Sequence, residues 1–233
     1  MIPVLFVIQA RMKSTRLPGK VLKPLGDSTV LGVLIKRVRR SAYYTPASPN
    51  LVVATSNQRE NDRIADYCRQ INCPVFRGDE QFVLRRFIAL LQCRQPRTLV
   101  RLTADNPLTD PELLDRMLEE HLRQGYDYTY CTAVPVGLAA EIVRAASLAD
   151  LRRNWPRAMR YREHVTLFLT DHPERYRLGD WLPADSLVFS QGRVTIDTPQ
   201  DYVHVTRLYQ KLGNRPDCSA AAIVRALKEG VSG

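Results

Sequence analysis

Residues 9–20 hold the densest chemistry in the chain: Gln9-Ala10-Arg11-Met12-Lys13-Ser14-Thr15-Arg16-Leu17-Pro18-Gly19-Lys20. Four cations (Arg11, Lys13, Arg16 and Lys20), the hydroxyls of Ser14 and Thr15, and one glycine follow the apolar run Val4-Leu5-Phe6-Val7-Ile8. Arginine gives a planar fork of donors, lysine a compact charge, and glycine lets the backbone approach an anion closely. Such a loop suits a triphosphate. A solvated basic turn would have a similar composition. Here, however, cations, hydroxyls and Gly-Pro punctuation all fall at the carboxyl end of a strand, where open α/β sheets bind ligands.

Two aspartates stand in comparable places. Asp105 closes the run Arg101-Leu102-Thr103-Ala104, and Asp197 follows Thr195-Ile196 and precedes Thr198-Pro199. A carboxylate at a strand end is the hard oxygen ligand that Mg²⁺ takes, sharing its shell with water and phosphate. Asp105 alone has a blander reading, since Asp105 and Asn106 are turn formers before Pro107, and Asp201, four residues beyond Asp197, reads as a first-turn helix residue favoured by the macrodipole. Together with the basic loop, Asp105 and Asp197 suit metal-assisted nucleotidyl transfer, in which cations absorb charge on a leaving pyrophosphate. His164, within Arg162-Glu163-His164-Val165-Thr166, is either an acid/base group or a structural histidine. The chain contains no HExxH, GxSxG, GxxxxGK[ST] or GxGxxG pattern, so the usual zinc-protease, serine-hydrolase, Walker and dinucleotide solutions are excluded.

The elements that must position these groups alternate. Strands are predicted at Val4–Ile8, Leu51–Thr55, Pro74–Arg77, Thr98–Thr103 and Tyr126–Cys131. Helices are predicted from Val30 to Val38 (capped by Asp27 or Ser28), Asp62 to Ile71, Gln81 to Cys93, and Pro111 to Leu122, the last opened by Asp110. This rhythm gives an α/β fold with a mostly parallel central sheet and helices on both faces. After about residue 132 the rhythm breaks. Helices are predicted at Ala139–Asn154 and Tyr161–Thr170. Two strand-like pieces, Leu187–Phe189 and Arg193–Asp197, suggest a hairpin or lid lobe, and Pro199–Leu212 and Ala220–Glu229 close the chain as helices. With no repeat and no linker, residues 1–233 read as a single domain.

Composition sets the remaining bounds. The 233 residues carry 34 basic and 24 acidic side chains, a net charge of +10, which points to an anionic partner. A nucleic-acid binder is disfavoured: the cations are spread along the chain with little aromatic interleaving, and no RNA or DNA motif occurs. Five cysteines without a CxxC pair argue for a reducing cytoplasm and against a disulfide framework or zinc ribbon. No apolar run approaches the ~20 residues of a membrane helix. Ile2–Ile8 has no basic stretch before it, so it reads as a strand and not a signal peptide.

These residues resemble the CMP-sugar synthetases, the cytidylyltransferase group that includes the 3-deoxy-manno-octulosonate and acylneuraminate enzymes. The spore-coat polysaccharide biosynthesis branch is the most similar. The resemblance is carried by Ile8 to Arg11 with Leu17 to Leu22, Val53-Ala54-Thr55-Ser56, Val75-Phe76-Arg77-Gly78, Val83-Leu84 with Arg86-Phe87, Arg101 to Asp105, Gly137-Leu138 with Glu141, Arg162 to Thr166, and Ile196 to Pro199 with Asp201. It implies a Rossmann-like nucleotidyltransferase fold, CTP as substrate, Mg²⁺ as cofactor and a homodimer, with residues 132–190 as an acceptor-binding and dimerisation lobe. Carried over by position, Arg11, Lys20 and Asp105 would be catalytic, and Arg11, Lys20 and Ser14 would contact the triphosphate. Ala10, Arg77 and Thr103 would lie near cytosine and ribose. Asp105 and Asp197 would hold Mg²⁺, and Arg86, Glu141 and His164 would face the acceptor.

The departures cluster on the acceptor side. Phe82 and Arg85 stand where the branch has acidic residues, and Gly137-Leu138-Ala139-Ala140-Glu141 lacks an aspartate. Fewer carboxylates and an added arginine favour an anionic acceptor by Coulomb's law: a sugar acid, a sugar phosphate or a phosphonate. Two alternatives are a nucleotidyltransferase using another nucleoside triphosphate and a non-catalytic nucleotide-binding protein.

Overall fold

The computed structural model describes residues 3–152 and 158–231. Met1 and Ile2, at the start of the chain, and residues 153 and 154, at the end of one predicted helix, lie outside the described residues. The elements in chain order are β1 (Val4–Gln9), β2 (Pro24–Leu25), β3 (Ser28–Thr29), α1 (Val30–Val38), β4 (Leu51–Ser56), α2 (Asp62–Gln70), β5 (Val75–Gly78), α3 (Val83–Arg94), β6 (Thr98–Thr103), α4 (Pro111–Gln124), β7 (Tyr128–Tyr130), β8 (Glu141–Arg144), α5 (Ala145–Asp150), α6 (Met159–Glu163), α7 (Leu167–Thr170), β9 (Leu178–Asp180), α8 (Pro199–Lys211) and α9 (Ala220–Val231).

Among the described residues the central sheet has seven strands in the order β5-β4-β1-β6-β8-β7-β9. The β5-β4-β1-β6 block is parallel, and β8 runs antiparallel to both its neighbours. The α/β, mostly parallel expectation therefore holds. Strand β1 shows why the sheet is buried on both sides. Val4, Phe6 and Ile8 enter one core with residues of α1, α4, α8 and α9, while Leu5 and Val7 enter the other with α3, α5 and α7. Continuous apolar runs of this kind are what a doubly covered parallel sheet requires.

The structure differs from the predicted elements in five places. Thr29, not Asp27 or Ser28, caps α1, its hydroxyl accepting from the Gly32 amide at 3.0 Å. Ser28 is instead used in the β2–β3 ribbon. Residues 141–144 are strand β8, not helix. Ile142 and Val143 are fully buried between β6 and β7, and pairing outweighs the helix propensity of the neighbouring alanines. The predicted helix 161–170 is broken at His164, whose backbone is extended, so that Val165 reaches the second core. Neither Leu187–Phe189 nor Arg193–Asp197 forms a hairpin: the former joins a short 3-10 turn, and the latter makes one isolated parallel bridge, Val136 to Arg193. Strand β9, with only Leu178 as an apolar residue, leaves little periodic signal. The segment 132–190 supplies β8 and β9 to the same central sheet.

Candidate active site

The loop after β1 is closed at its base. Gly19 adopts a left-handed backbone (φ 69°) that a side chain would strain, and its amide donates to the Met12 carbonyl at 2.9 Å. It opens the short 3-10 turn Lys20–Leu22 and so aims Lys20 inward. The Met12 amide donates to Asn61 Oδ1 at 2.8 Å, and Asn61 Nδ2 donates to Ser56 Oγ at 2.7 Å. Fully buried Asn61 thus pins the loop to the end of β4. It lies 49 positions from Met12, beyond the reach of any local pattern.

Lys20 is 8% exposed, and its ammonium donates to Asp105 Oδ2 at 2.7 Å, to the Ile196 carbonyl at 2.7 Å and to Asp197 Oδ1 at 3.0 Å. The two aspartates are brought together by backbone: the Ile196 amide donates to the Asp105 carbonyl at 2.8 Å. Asp201 then fixes Asp197. Its Oδ2 accepts from the amides of Asp197 (3.0 Å) and Thr198 (2.8 Å), while Thr198 Oγ1 accepts from the Asp201 amide in a capping box. Asp201 therefore acts as both the helix-start residue and a brace for its neighbour. Asp197 also meets Arg16 at 3.0 Å on Oδ1, and Arg193 on Oδ2. Burial pushes the Asp197 carboxyl up, but Lys20, Arg16 and Arg193 outweigh it and hold the group below its ordinary value. Asp201 is lowered too: burial raises it, and the Thr198 and Asp197 amides and Arg193 more than compensate.

These groups line a cleft of about 510 Å³ at the carboxyl ends of β1 and β6, with Arg11, Ser14, Lys20, Asp105 and Asp197 on its walls. Ala10 is buried beneath it, its amide bound to the Ala54 carbonyl at 3.1 Å. Ser14 Oγ accepts from the Leu17 amide at 3.4 Å. Thr103 borders this cleft and the next, and its Oγ1 accepts from Asn106 Nδ2 at 2.9 Å. Arg77 is placed elsewhere. It clamps the loop after β4, donating to the Ser56 and Gln58 carbonyls at 3.0 and 2.9 Å and to Asp62 at 2.6 Å. That loop lines a neighbouring depression with Lys13, Glu60 and Glu80. The donor set fits a small hard cation, since Asp105, Asp197 and the Ile196 carbonyl already converge on one positive charge.

A second depression, about 370 Å³, adjoins the first beyond Thr103, lined by Arg101, Tyr128, Tyr130, Ala140 and Glu141. Glu141 also lines a third, of about 300 Å³, with His164 and Thr166. Glu141 is not free: Arg101 donates to Oε1 at 2.8 Å and Thr166 to Oε2 at 2.7 Å, and Arg101 also reaches Gln9 at 3.0 Å. Arg101 and Thr166 lie inside recognisable motifs, but their partnership with Glu141 depends on the β6–β8 pairing that sequence periodicity did not reveal. Arg86 is apart from these depressions, 3% exposed, with Nε and Nη1 lacking hydrogen-bond partners. Burial lowers its pKa, with the Glu80, Arg11 and Asp79 charges acting next. Arg85 is 66% exposed and faces Asp79 at 3.8 Å, and Phe82 packs under Arg162.

The chain is 46% identical to the spore coat polysaccharide biosynthesis protein SpsF of Bacillus subtilis over 224 residues, covering 96% of this chain and 93% of that protein. A cytidylyltransferase structure from Leptospira borgpetersenii superposes with a TM-score of 0.90 at 28% identity, covering 100% of this chain and 96% of that one. A CMP:2-keto-3-deoxy-manno-octonic acid synthetase solved with CTP shares the fold at 15% identity, with a TM-score of 0.67 over 90% of this chain and 99% of its own. The cytidylyltransferase family matches residues 5–224, a span that holds the basic loop and both aspartates, and this chain belongs to that family.

Proposed function

We propose that this protein transfers CMP from CTP to an anionic acceptor and releases pyrophosphate. The observation that carries the reading is the convergence of Lys20, Asp105 and Asp197 inside a cleft walled by Arg11 and Ser14. An acceptor oxygen attacks the α-phosphorus, a new P–O bond forms, and the bond to the β-phosphate oxygen breaks. Arg11 and Lys20 stabilise the charge on the phosphates and on the leaving pyrophosphate. Asp105 and Asp197 would hold Mg²⁺, which when bound supplies Lewis-acid charge neutralisation. Ala10, Thr103 and the Arg77-clamped loop would receive the nucleoside.

The acceptor side is assigned to Arg86, Glu141 and His164. Arg85 gives no support to an anionic acceptor, because it pairs with Asp79 on the surface. Arg86 would contribute through its unpartnered guanidinium donors, which feel the charge of Arg11, once an acceptor displaces the side chains that bury it in the free protein. Glu141, held by Arg101 and Thr166, would accept an acceptor hydroxyl. We place the protein in the cytoplasm as a homodimer that uses residues 132–190 for dimerisation. All five cysteines are free, as a reducing compartment requires. Among the described residues no helix is long and apolar enough to cross a membrane.

The test is transfer of label from CTP carrying phosphorus-32 at the α position, with sugar acids, sugar phosphates and phosphonates as acceptors. Label in an acceptor-linked product supports the reading. Label that stays in CTP or appears only as free CMP with every acceptor counts against it.

A further inference from the structure

Lys20 has all three ammonium protons committed, to Asp105, Asp197 and the Ile196 carbonyl. Its side chain is 10% exposed. Arg16 and Arg193 add two more positive charges on Asp197. In the free protein Asp105, Asp197 and the neighbouring Asp201 are therefore faced by three cations, Arg193 lying 3.7 Å from Asp201 as well, and the point where Asp105 and Asp197 converge is filled by an ammonium. A divalent cation arriving alone finds these carboxylates already neutralised and their meeting point occupied by the ammonium. A triphosphate reverses that balance, since its oxygens attract Lys20 and Arg16 and its charge offsets the cations. The Gly19–Met12 hydrogen bond anchors the loop backbone, so the flexible lysine side chain can make this exchange without unfolding the loop.

We propose that Lys20 is a built-in counter-cation that keeps the Asp105–Asp197 pair closed to divalent ions until a nucleoside triphosphate draws it away, so that metal and nucleotide bind as one unit. The inference rests on the assignment of those two aspartates as metal ligands.

The experiment uses Mn²⁺ as a spin probe on the full chain, with binding followed by electron paramagnetic resonance and by water-proton relaxation, which separates protein-bound ion from ion on free nucleotide. Without CTP the wild-type protein should bind Mn²⁺ about tenfold or more weakly than with CTP. Lys20→Gln should bind Mn²⁺ alone about tenfold or more tightly than the wild type, the scale expected when one neighbouring unit charge is removed. Arg193→Gln, which removes a cation from the other oxygen of Asp197, should give a smaller gain and stands in if Lys20→Gln does not fold. Equal Mn²⁺ affinity with and without CTP, or no gain in either variant, overturns the proposal. Failure to bind Mn²⁺ under every condition overturns the metal assignment, and this inference with it.

Discussion

The amide of Ile196 donates to the carbonyl of Asp105 at 2.8 Å, and this bond places the carboxylates of Asp105 and Asp197 around one ammonium group. The two aspartates come from segments on different elements, so the site exists only in the folded chain. Its exactness depends on few residues: Gly19 for the turn, Asn61 for the loop base, and Asp201 for the orientation of Asp197.

Asp105→Ala removes one of the two carboxylates that meet Lys20 while leaving the backbone bonds of residues 103–106 in place. The variant should keep its fold and lose CTP-dependent pyrophosphate release by about a hundredfold or more, as for loss of a central electrostatic group. Circular dichroism and a pyrophosphate assay check both parts. Turnover at the wild-type rate would remove Asp105 from the chemistry.

Arg37 is fully buried and holds three parts of the molecule: Nε donates to the Thr109 carbonyl at 2.9 Å, Nη1 to the Pro216 and Cys218 carbonyls at 2.9 Å, and Nη2 to Asp110 at 3.2 Å. Asp110 is also the cap of α4. Arg37→Ala leaves that carboxylate and three carbonyls without their partner, and should cost about 3–5 kcal/mol in urea denaturation.

Arg86 is the opposite case. Its buried, unpartnered donors lower stability, and burial, reinforced by Arg11 and opposed by Glu80 and Asp79, depresses its pKa. Arg86→Met should raise the stability of the free protein by roughly 1–2 kcal/mol and abolish use of the acceptor. A thermal melt and the labelled-CTP assay read the two effects. A variant less stable than wild type would mean that the guanidinium is a structural support.

His121 sets an acid limit. It is 2% exposed, with Nδ1 2.9 Å from Thr129 Oγ1. Burial first of all, with Asp127 opposing and Arg144 reinforcing, lowers its pKa from 6.5 to about 4. The unfolded chain therefore takes up a proton in that window while the folded chain does not. Stability should fall as pH drops from about 6.5 and level off below about 4, a loss on the order of 3 kcal/mol. Urea titrations at pH 7 and 4.5 measure it, and His121→Gln should flatten that part of the slope.

What the sequence made legible was local. The Gln9–Lys20 loop after β1, Asp105 just past the end of β6, and the Pro111 and Pro199 helix starts each announce themselves within a few residues, and the structure has them there; Asp197, expected at the end of a strand over 193–197, instead follows an irregular segment that makes only the Val136–Arg193 bridge. What it hid was non-local. Glu141 meets Arg101 only because 141–144 insert as a strand beside β6, and Lys20 meets Asp105 and Asp197 across 85 and 177 positions of the chain. An alanine-rich stretch reads as helix until a neighbouring strand claims its two β-branched residues. Arg77, conspicuous in its motif, is turned to the carbonyls of Ser56 and Gln58, a role that spacing alone does not reveal.

The most direct measurement is pyrophosphate release by the wild-type protein with Mg²⁺, each of CTP, UTP, GTP and ATP in turn, and a panel of acidic sugars, sugar phosphates and phosphonates. The account predicts release that requires both CTP and one acceptor. Release with another nucleotide in place of CTP, or no response to any nucleotide in either turnover or thermal stability, would contradict it.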